Sequence, residues 1–69
     1  MSKITIKLNG KNAEFEADST ISDLIKITGI KSKMFVVEKN KEIVDKPDYD
    51  ECQISAGDII EVVGFFGGG

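Results

Sequence analysis

The sequence predicts an α+β domain in which a small mixed sheet packs against one helix. Several short stretches alternate polar and apolar residues, as half-buried strands do, and a single stretch has helical spacing. The chain has 69 residues, which is enough for one hydrophobic core but not for two. We therefore expect one domain over residues 1–64, followed by a flexible C-terminal tail over residues 65–69.

The first elements are predicted to be an antiparallel hairpin and a short helix. Residues 3–17 alternate in polarity on both sides of Asn9-Gly10, a dipeptide that tolerates the positive φ angles of a two-residue turn. Thr20 and Asp23 then have the spacing of a capping box, and Gly29 stands where a glycine ends a helix. The helix is expected over residues 21–28, with its apolar stripe on the sheet.

Three further strands are predicted in the second half of the chain. Strands over 34–39 and 42–44 flank a turn at Asn40-Lys41, and residues 45–51, which include the only proline, form a loop. A turn over residues 56–58 leads into the last strand, residues 59–65. If the helix crosses one face and the last strand lies parallel to the first, this is the β-grasp, or ubiquitin-like, arrangement.

Composition excludes several classes of function. The chain has no histidine, so it cannot form a Ser-His or Cys-His nucleophile pair or an imidazole metal site. The net charge is −3 and no arginine is present, which argues against nucleic-acid binding. The single cysteine, Cys52, has acidic neighbours and is interpreted as a structural residue. We expect a protein that is not an enzyme acting alone and that binds no metal or cofactor.

The cysteine content and the N-terminal sequence predict the compartment. One thiol without a disulfide framework suits a reducing environment, and residues 2–8 have no continuous apolar stretch of the kind found in signal peptides. No segment has the length and hydrophobicity of a transmembrane span. We expect a cytoplasmic protein that binds no membrane and is a monomer when free.

The last predicted strand is apolar on both faces. Ile60 and Val62 fall on one face, which we assign to the core, and Ile59, Val63 and Phe65 fall on the other, with Glu61 as the polar exception. One interpretation is a central strand with some apolar residues outward; the other is a docking patch on the open face. In the second interpretation the partner-binding residues are Ile59, Val63, Phe65 and Phe66.

The glycines that follow indicate a second functional feature. Gly67, Gly68 and Gly69 have no side chains, so this segment could thread a narrow channel and bring its backbone close to a ligand. A frayed or cloning-derived end is the alternative. The α-carboxylate of Gly69 would be the reactive group, and it would need activation, for instance as an acyl-adenylate. Since no nucleotide-binding loop is present, a separate ATP-using enzyme would have to supply that step.

The whole chain resembles the ThiS-type sulfur carriers of thiamine biosynthesis, in the ubiquitin-like ThiS/MoaD family. The resemblance is carried by Tyr49 and by four segments: ITIKLNGK, STISDLI, VVEKNKEIV and AGDIIEVVGFFGGG. It implies that Gly69, preceded by Gly68, is adenylylated by a ThiF-type enzyme and converted to a thiocarboxylate. The sulfur would then pass to a ThiG-type thiazole synthase. Phe65 matches the family's aromatic residue before the tail, whereas Gly64 stands where a larger residue is expected.

Other functions use the same device and remain open at the level of sequence. A sulfur carrier for molybdopterin synthesis is the main alternative, although such carriers tend to be longer. A carrier for another sulfur pathway would look similar. A ubiquitin-like modifier would join Gly69 to a lysine, and a non-covalent β-grasp module would not need Gly69.

Overall fold

The computed structural model describes residues 2–29 and 34–64. Within these residues the chain forms five strands and one α-helix. In chain order they are β1 (Lys3–Leu8), β2 (Lys11–Glu16), α1 (Ile21–Thr28), β3 (Phe35–Lys39), β4 (Glu42–Val44) and β5 (Ile59–Gly64).

The strands form one mixed sheet in the order β2-β1-β5-β3-β4. β5 lies parallel to β1, with Lys7 opposite Ile59 and Leu8 opposite Ile60. The other three pairings are antiparallel. A mixed sheet of this order with one crossing helix is the β-grasp arrangement, so the fold class predicted from the sequence is confirmed.

Both tight turns place their central residues at positive φ. The first has Asn9 at 51° and Gly10 at 84°, and the second has Asn40 at 53° and Lys41 at 72°. Positive φ at both central positions matches the right-handed twist of the flanking strands. Lys41 therefore adopts, with a full side chain, a conformation that glycine adopts without steric cost.

The helix begins and ends as its sequence predicts. The Asp23 amide donates to Thr20 Oγ1 at 3.3 Å, and the Thr20 amide donates to Asp23 Oδ2 at 3.0 Å, which completes the capping box. Gly29 has φ 69° and donates its N–H to the Ile25 carbonyl at 3.2 Å. No helix in the described part of the chain is long and apolar enough to cross a membrane.

The core lies between α1 and one face of the sheet. Its buried side chains are Ile6, Phe15, Ile21, Leu24, Val37, Ile54 and Ile60. The segment before β5 is fastened to the start of the helix, because the Ile21 amide donates to the Cys52 carbonyl at 2.9 Å and the Ile54 amide donates to the Ser19 carbonyl at 3.0 Å. In the described part of the chain, the helix covers only the sheet face that lines this core.

The structure differs from the sequence prediction at a few boundaries. β2 ends at Glu16 and β3 begins at Phe35, one residue inside the predicted limits. The segment predicted as a loop contains one turn of 3-10 helix, Lys46–Asp48. Pro47 favours this turn, since its ring fixes φ near −65°, a value that helical turns share. The predicted end of the last strand, at Phe65, lies outside the described residues.

Candidate functional site

The central strand β5 presents different side chains to the two faces of the sheet. Ile60 is fully buried under the helix, and Val62 packs against the same core. Ile59 and Val63 point to the opposite, open face, where they are 49% and 53% exposed. The faces predicted for these four side chains from the alternation in the sequence therefore agree with the structure.

Two asparagine side chains hold β5 in position. Asn9 Oδ1 accepts a hydrogen bond from the Val62 amide at 2.8 Å, and Asn40 Oδ1 accepts one from the Ile59 amide at 2.9 Å. The backbone N–H of each asparagine also donates to a β5 carbonyl, that of Asn9 to Ile60 and that of Asn40 to Ile59. The left-handed backbone conformation, which asparagine tolerates, thus forms the turn and also points the side chain at the neighbouring strand.

The turn that leads into β5 is organised by Asp58. Its Oδ2 accepts from the Ser55 amide at 2.7 Å, and its Oδ1 accepts from Asn40 Nδ2 at 3.1 Å. Lys39 Nζ lies 3.9 Å from Oδ2. The buried carboxylate is thereby satisfied, as a buried charge must be. β5 consequently begins at a fixed position on the sheet.

The open face is divided into a polar half and an apolar half. On β1 and β2 its side chains are polar or charged, namely Lys3, Thr5, Lys7, Asn12, Glu14 and Glu16. On β3, β4 and β5 four apolar side chains are at least 37% exposed, and we call them the apolar frame: Val36, Ile43, Ile59 and Val63. The register places Val36 opposite Val63. A cluster of exposed apolar side chains of this kind indicates a binding surface for another molecule.

The register also places two further residues inside the apolar frame. Glu38 on β3 lies opposite Glu61 on β5, and Ile43 on β4 lies opposite Glu38 from the other side. Sequence reasoning found Glu61 as the polar exception on β5. It missed Val36, Glu38 and Ile43, because their position beside β5 depends on the β3–β5 and β3–β4 pairings.

An aromatic cluster lies where β5 ends. Phe35 is opposite Gly64, stacks on Tyr49 with 6.1 Å between ring centroids, and has Lys46 Nζ 5.5 Å from its own centroid. An aromatic side chain across from a strand glycine covers surface that the glycine leaves open. Burial raises the pKa of the Tyr49 hydroxyl, and the charge of Asp45 raises it further.

The surroundings of Cys52 are those of a residue that contributes to packing. The side chain is half-buried against the core, with Lys39 Nζ 3.8 Å from Sγ. Among residues 2–29 and 34–64, no group of three or more His, Cys, Asp or Glu side chains is arranged to hold a metal ion. The predicted site residues Phe65, Phe66, Gly67, Gly68 and Gly69 lie outside the described residues.

Comparison with known proteins identifies the family. The sequence pattern of the ThiS family matches residues 6–69. The chain belongs to the ThiS family. The resemblance inferred from its motifs is therefore confirmed, and the match includes β5 and the glycines that follow it.

Individual relatives of this ThiS-family chain are of two kinds. The sulfur carrier protein ThiS of Bacillus subtilis is 42% identical over 65 residues, which are 93% of this chain and 98% of the relative. The thiazole synthase of Paramagnetospirillum magneticum is 39% identical over 62 residues, which are 90% of this chain but 19% of that protein. A thiazole synthase of Magnetococcus marinus is 38% identical, over 20% of its length.

A solved structure supports the fold independently. The crystal structure of the thiamine biosynthesis protein ThiS from Geobacter metallireducens matches this chain with a TM-score of 0.81. The match covers 96% of this chain and 100% of the other, at 23% sequence identity. At that identity the likeness bears on the fold alone.

Proposed function

We propose that this protein is a sulfur carrier of thiamine biosynthesis, and that it is the substrate of partner enzymes. The observation that carries the proposal is membership of the ThiS family, together with 42% identity to a sulfur carrier protein ThiS over nearly the full length of both chains. The apolar frame on an otherwise polar sheet face gives such a carrier a place to dock.

The working group in this proposal is the α-carboxylate of Gly69, preceded by Gly68. A terminal carboxyl group has a pKa of about 3.5, so at neutral pH it is ionised and resists acyl transfer. A ThiF-type enzyme would join it to the α-phosphate of ATP with loss of pyrophosphate, giving an acyl-adenylate. Hydrosulfide, or a donor that delivers sulfur at the same oxidation level, would then displace AMP and leave a thiocarboxylate. These are covalent states of the carrier, and ATP is bound by the enzyme.

The described residues would supply docking and aim. Ile59 and Val63, with Phe65 and Phe66 beyond the described residues, would bind the activating enzyme and the sulfur acceptor. The asparagine side chains of both turns fasten β5 to the sheet, so docking of the open face would fix the point from which residues 65–69 extend. Five extended residues reach about 17 Å, enough to carry the carboxylate into a recessed active site.

A ThiG-type thiazole synthase is the proposed sulfur acceptor. Sequences like this chain form about a fifth of two proteins named thiazole synthase. Two binding partners in one chain meet at a high effective concentration, which is an advantage when they also react with each other. The same observation favours thiamine over molybdopterin synthesis or protein modification as the pathway. We place the protein in the cytoplasm, because its single thiol suits a reducing compartment.

Deletion of Gly68 and Gly69 tests the proposal. The truncated protein should retain the melting temperature of the full chain, because glycine has no side chain to bury in a core. It should not be adenylylated by the cognate ThiF-type enzyme, which is measured as ATP–pyrophosphate exchange. Gly68→Ala is the finer variant: a Cβ in a tight channel should slow adenylylation and leave initial docking unchanged. Exchange at the full rate by the truncated protein would refute the proposed role of Gly69.

A further inference from the structure

Two glutamates face each other at the centre of the open sheet face. Glu38 and Glu61 are directly opposite across the antiparallel β3–β5 pair, and both side chains are on the face away from the helix. Side chains in such pairs have their Cβ atoms about 5 Å apart, and like charges there are destabilising. The arrangement therefore opposes folding, and a role in binding would account for it.

Neither glutamate has a counter-ion within the described residues. The ion pair found in that part of the chain joins Lys39 to Asp58, and the Lys39 ammonium also donates to the Gln53 carbonyl at 3.0 Å. Of the two lysines that β1 presents on the open face, Lys7 is the one paired with β5; it lies opposite Ile59, and the described residues show no ion pair between it and Glu61. Among the residues that the structure describes, the two carboxylates thus have no ion-pair partner.

The surroundings of the glutamates are apolar. Val36 and Val63 lie at one end of the pair, Ile59 lies at the other, and Ile43 lies beside Glu38. A partner that covered this apolar frame would also remove water from both carboxylates, which is costly unless a cation compensates them. A partner surface with apolar groups alone would therefore be rejected, whereas one with a central basic group would be accepted.

We propose that the apolar frame binds a partner protein that inserts one arginine or lysine side chain between Glu38 and Glu61. This rests on the proposed function, in which the same face docks on the activating enzyme, and it adds the chemistry of recognition. Arginine fits best, because its planar guanidinium can donate to both carboxylates at once.

Charge excludes other occupants of this face. A second copy of the chain, packed with its apolar frame on this one, would bring four carboxylates together, and neither frame contains a lysine to compensate them. Phosphate groups of a nucleic acid or an anionic lipid surface would be repelled by the same pair. The remaining occupant is a protein that presents a basic side chain with an apolar surround, and on the proposed function we take the activating enzyme to be that protein.

A matched pair of double variants tests the proposal. Glu38→Gln with Glu61→Gln removes two charges inside the apolar frame, and Glu14→Gln with Glu16→Gln removes two charges from the polar half of the same face. Binding of each full-length variant to the purified ThiF-type enzyme is measured calorimetrically at low and high salt. Thermal melts check folding, and the first variant should melt no lower than the wild type, because its change removes repulsion.

The frame variant should bind at least about tenfold more weakly than the wild type, with a flatter dependence on salt, because a desolvated charge pair has been lost. The polar-half control should bind within about twofold of the wild type, as rim charges do. Equal effects of the two variants, or no effect of the first, would overturn the proposal.

A third variant separates this proposal from the proposed function. Val63→Asp should abolish docking if the open face binds the enzyme at all. If Val63→Asp abolishes docking and the glutamine variant does not weaken it, the face is the docking site but does not recognise a cation, so the inference fails alone. If the wild-type protein itself does not bind or become adenylylated, both proposals fail.

Discussion

Because the two sheet faces have different surroundings, the same substitution of valine by threonine should have opposite effects on the buried face and on the open face. Val37 and Val63 lie on neighbouring strands, and Val37 is fully buried while Val63 is 53% exposed. Threonine is close to valine in shape and is β-branched too, so replacing either residue keeps the strand propensity and exchanges a methyl group for a hydroxyl. Any difference between Val37→Thr and Val63→Thr therefore reports the environment of the side chain.

The expected magnitudes follow from burial. At Val37 a hydroxyl without a partner enters the core, at a cost of about 1–3 kcal/mol in the free energy of unfolding. For a domain of this size each kcal/mol shifts the melting temperature by about 4–8 °C, so a fall of roughly 4–24 °C is expected. At Val63 the hydroxyl meets water, and the change should stay within about 0.5 kcal/mol.

Binding should show the reverse pattern. Val63→Thr should weaken binding to the ThiF-type enzyme by about 1 kcal/mol, because an apolar contact of the apolar frame becomes polar. Val37→Thr, measured well below its melting temperature, should bind as the wild type does. Circular dichroism melts and calorimetric titration provide the two readouts. Equal loss of stability in both variants would refute the reasoning, since it would mean that the open face is covered within the monomer.

Three further predictions concern β5, the second turn and the aromatic cluster. Asn9→Gly keeps the positive φ but removes the acceptor of the Val62 amide, so the free energy of unfolding should fall by about 0.5–1.5 kcal/mol in urea titration, whereas Asn9→Asp should retain the bond. Lys41→Gly should raise the free energy of unfolding by a net of about 0.5–1 kcal/mol, because glycine relieves the strain at φ 72° and only part of the gain is lost to unfolded-state entropy. Tyr49 has a raised pKa in the folded state, so its contribution to stability is present below pH 10.0 and is lost as the pH rises through the folded value. Tyr49→Phe should abolish that alkaline decline, and an equal decline in the variant would assign it to other groups.

Local signals were sufficient to predict most of the fold. The helix limits follow from the capping box of Thr20 and Asp23 and from Gly29, and the first hairpin follows from Asn9-Gly10. Each of these signals acts within a few residues, so the sequence contains it directly. The parallel pairing of the first and last strands agrees with the element order, because the right-handed crossover rule allows a layout with one helix crossing the sheet and the last strand beside the first.

Features that depend on the pairing of distant strands could not be predicted in the same way. The bond from Asn9 to the Val62 amide spans 53 positions in the chain. The opposition of Glu38 and Glu61 needs the register of β3 against β5, and a shift of one residue would send both side chains to other partners. The apolar character of β5 indicated a docking patch, but Val36 and Ile43 join that patch only once the strand order is known.

The most direct test of the central claim is the intact mass of the full-length protein after incubation with its ThiF-type enzyme, ATP and a sulfur source. The account predicts a product heavier by the difference between one sulfur and one oxygen atom, formed at Gly69 and absent when Gly68 and Gly69 are deleted. Transfer of that sulfur to a ThiG-type thiazole synthase should return the original mass. An unchanged mass with an active enzyme, or the same increase in the truncated protein, would contradict the account.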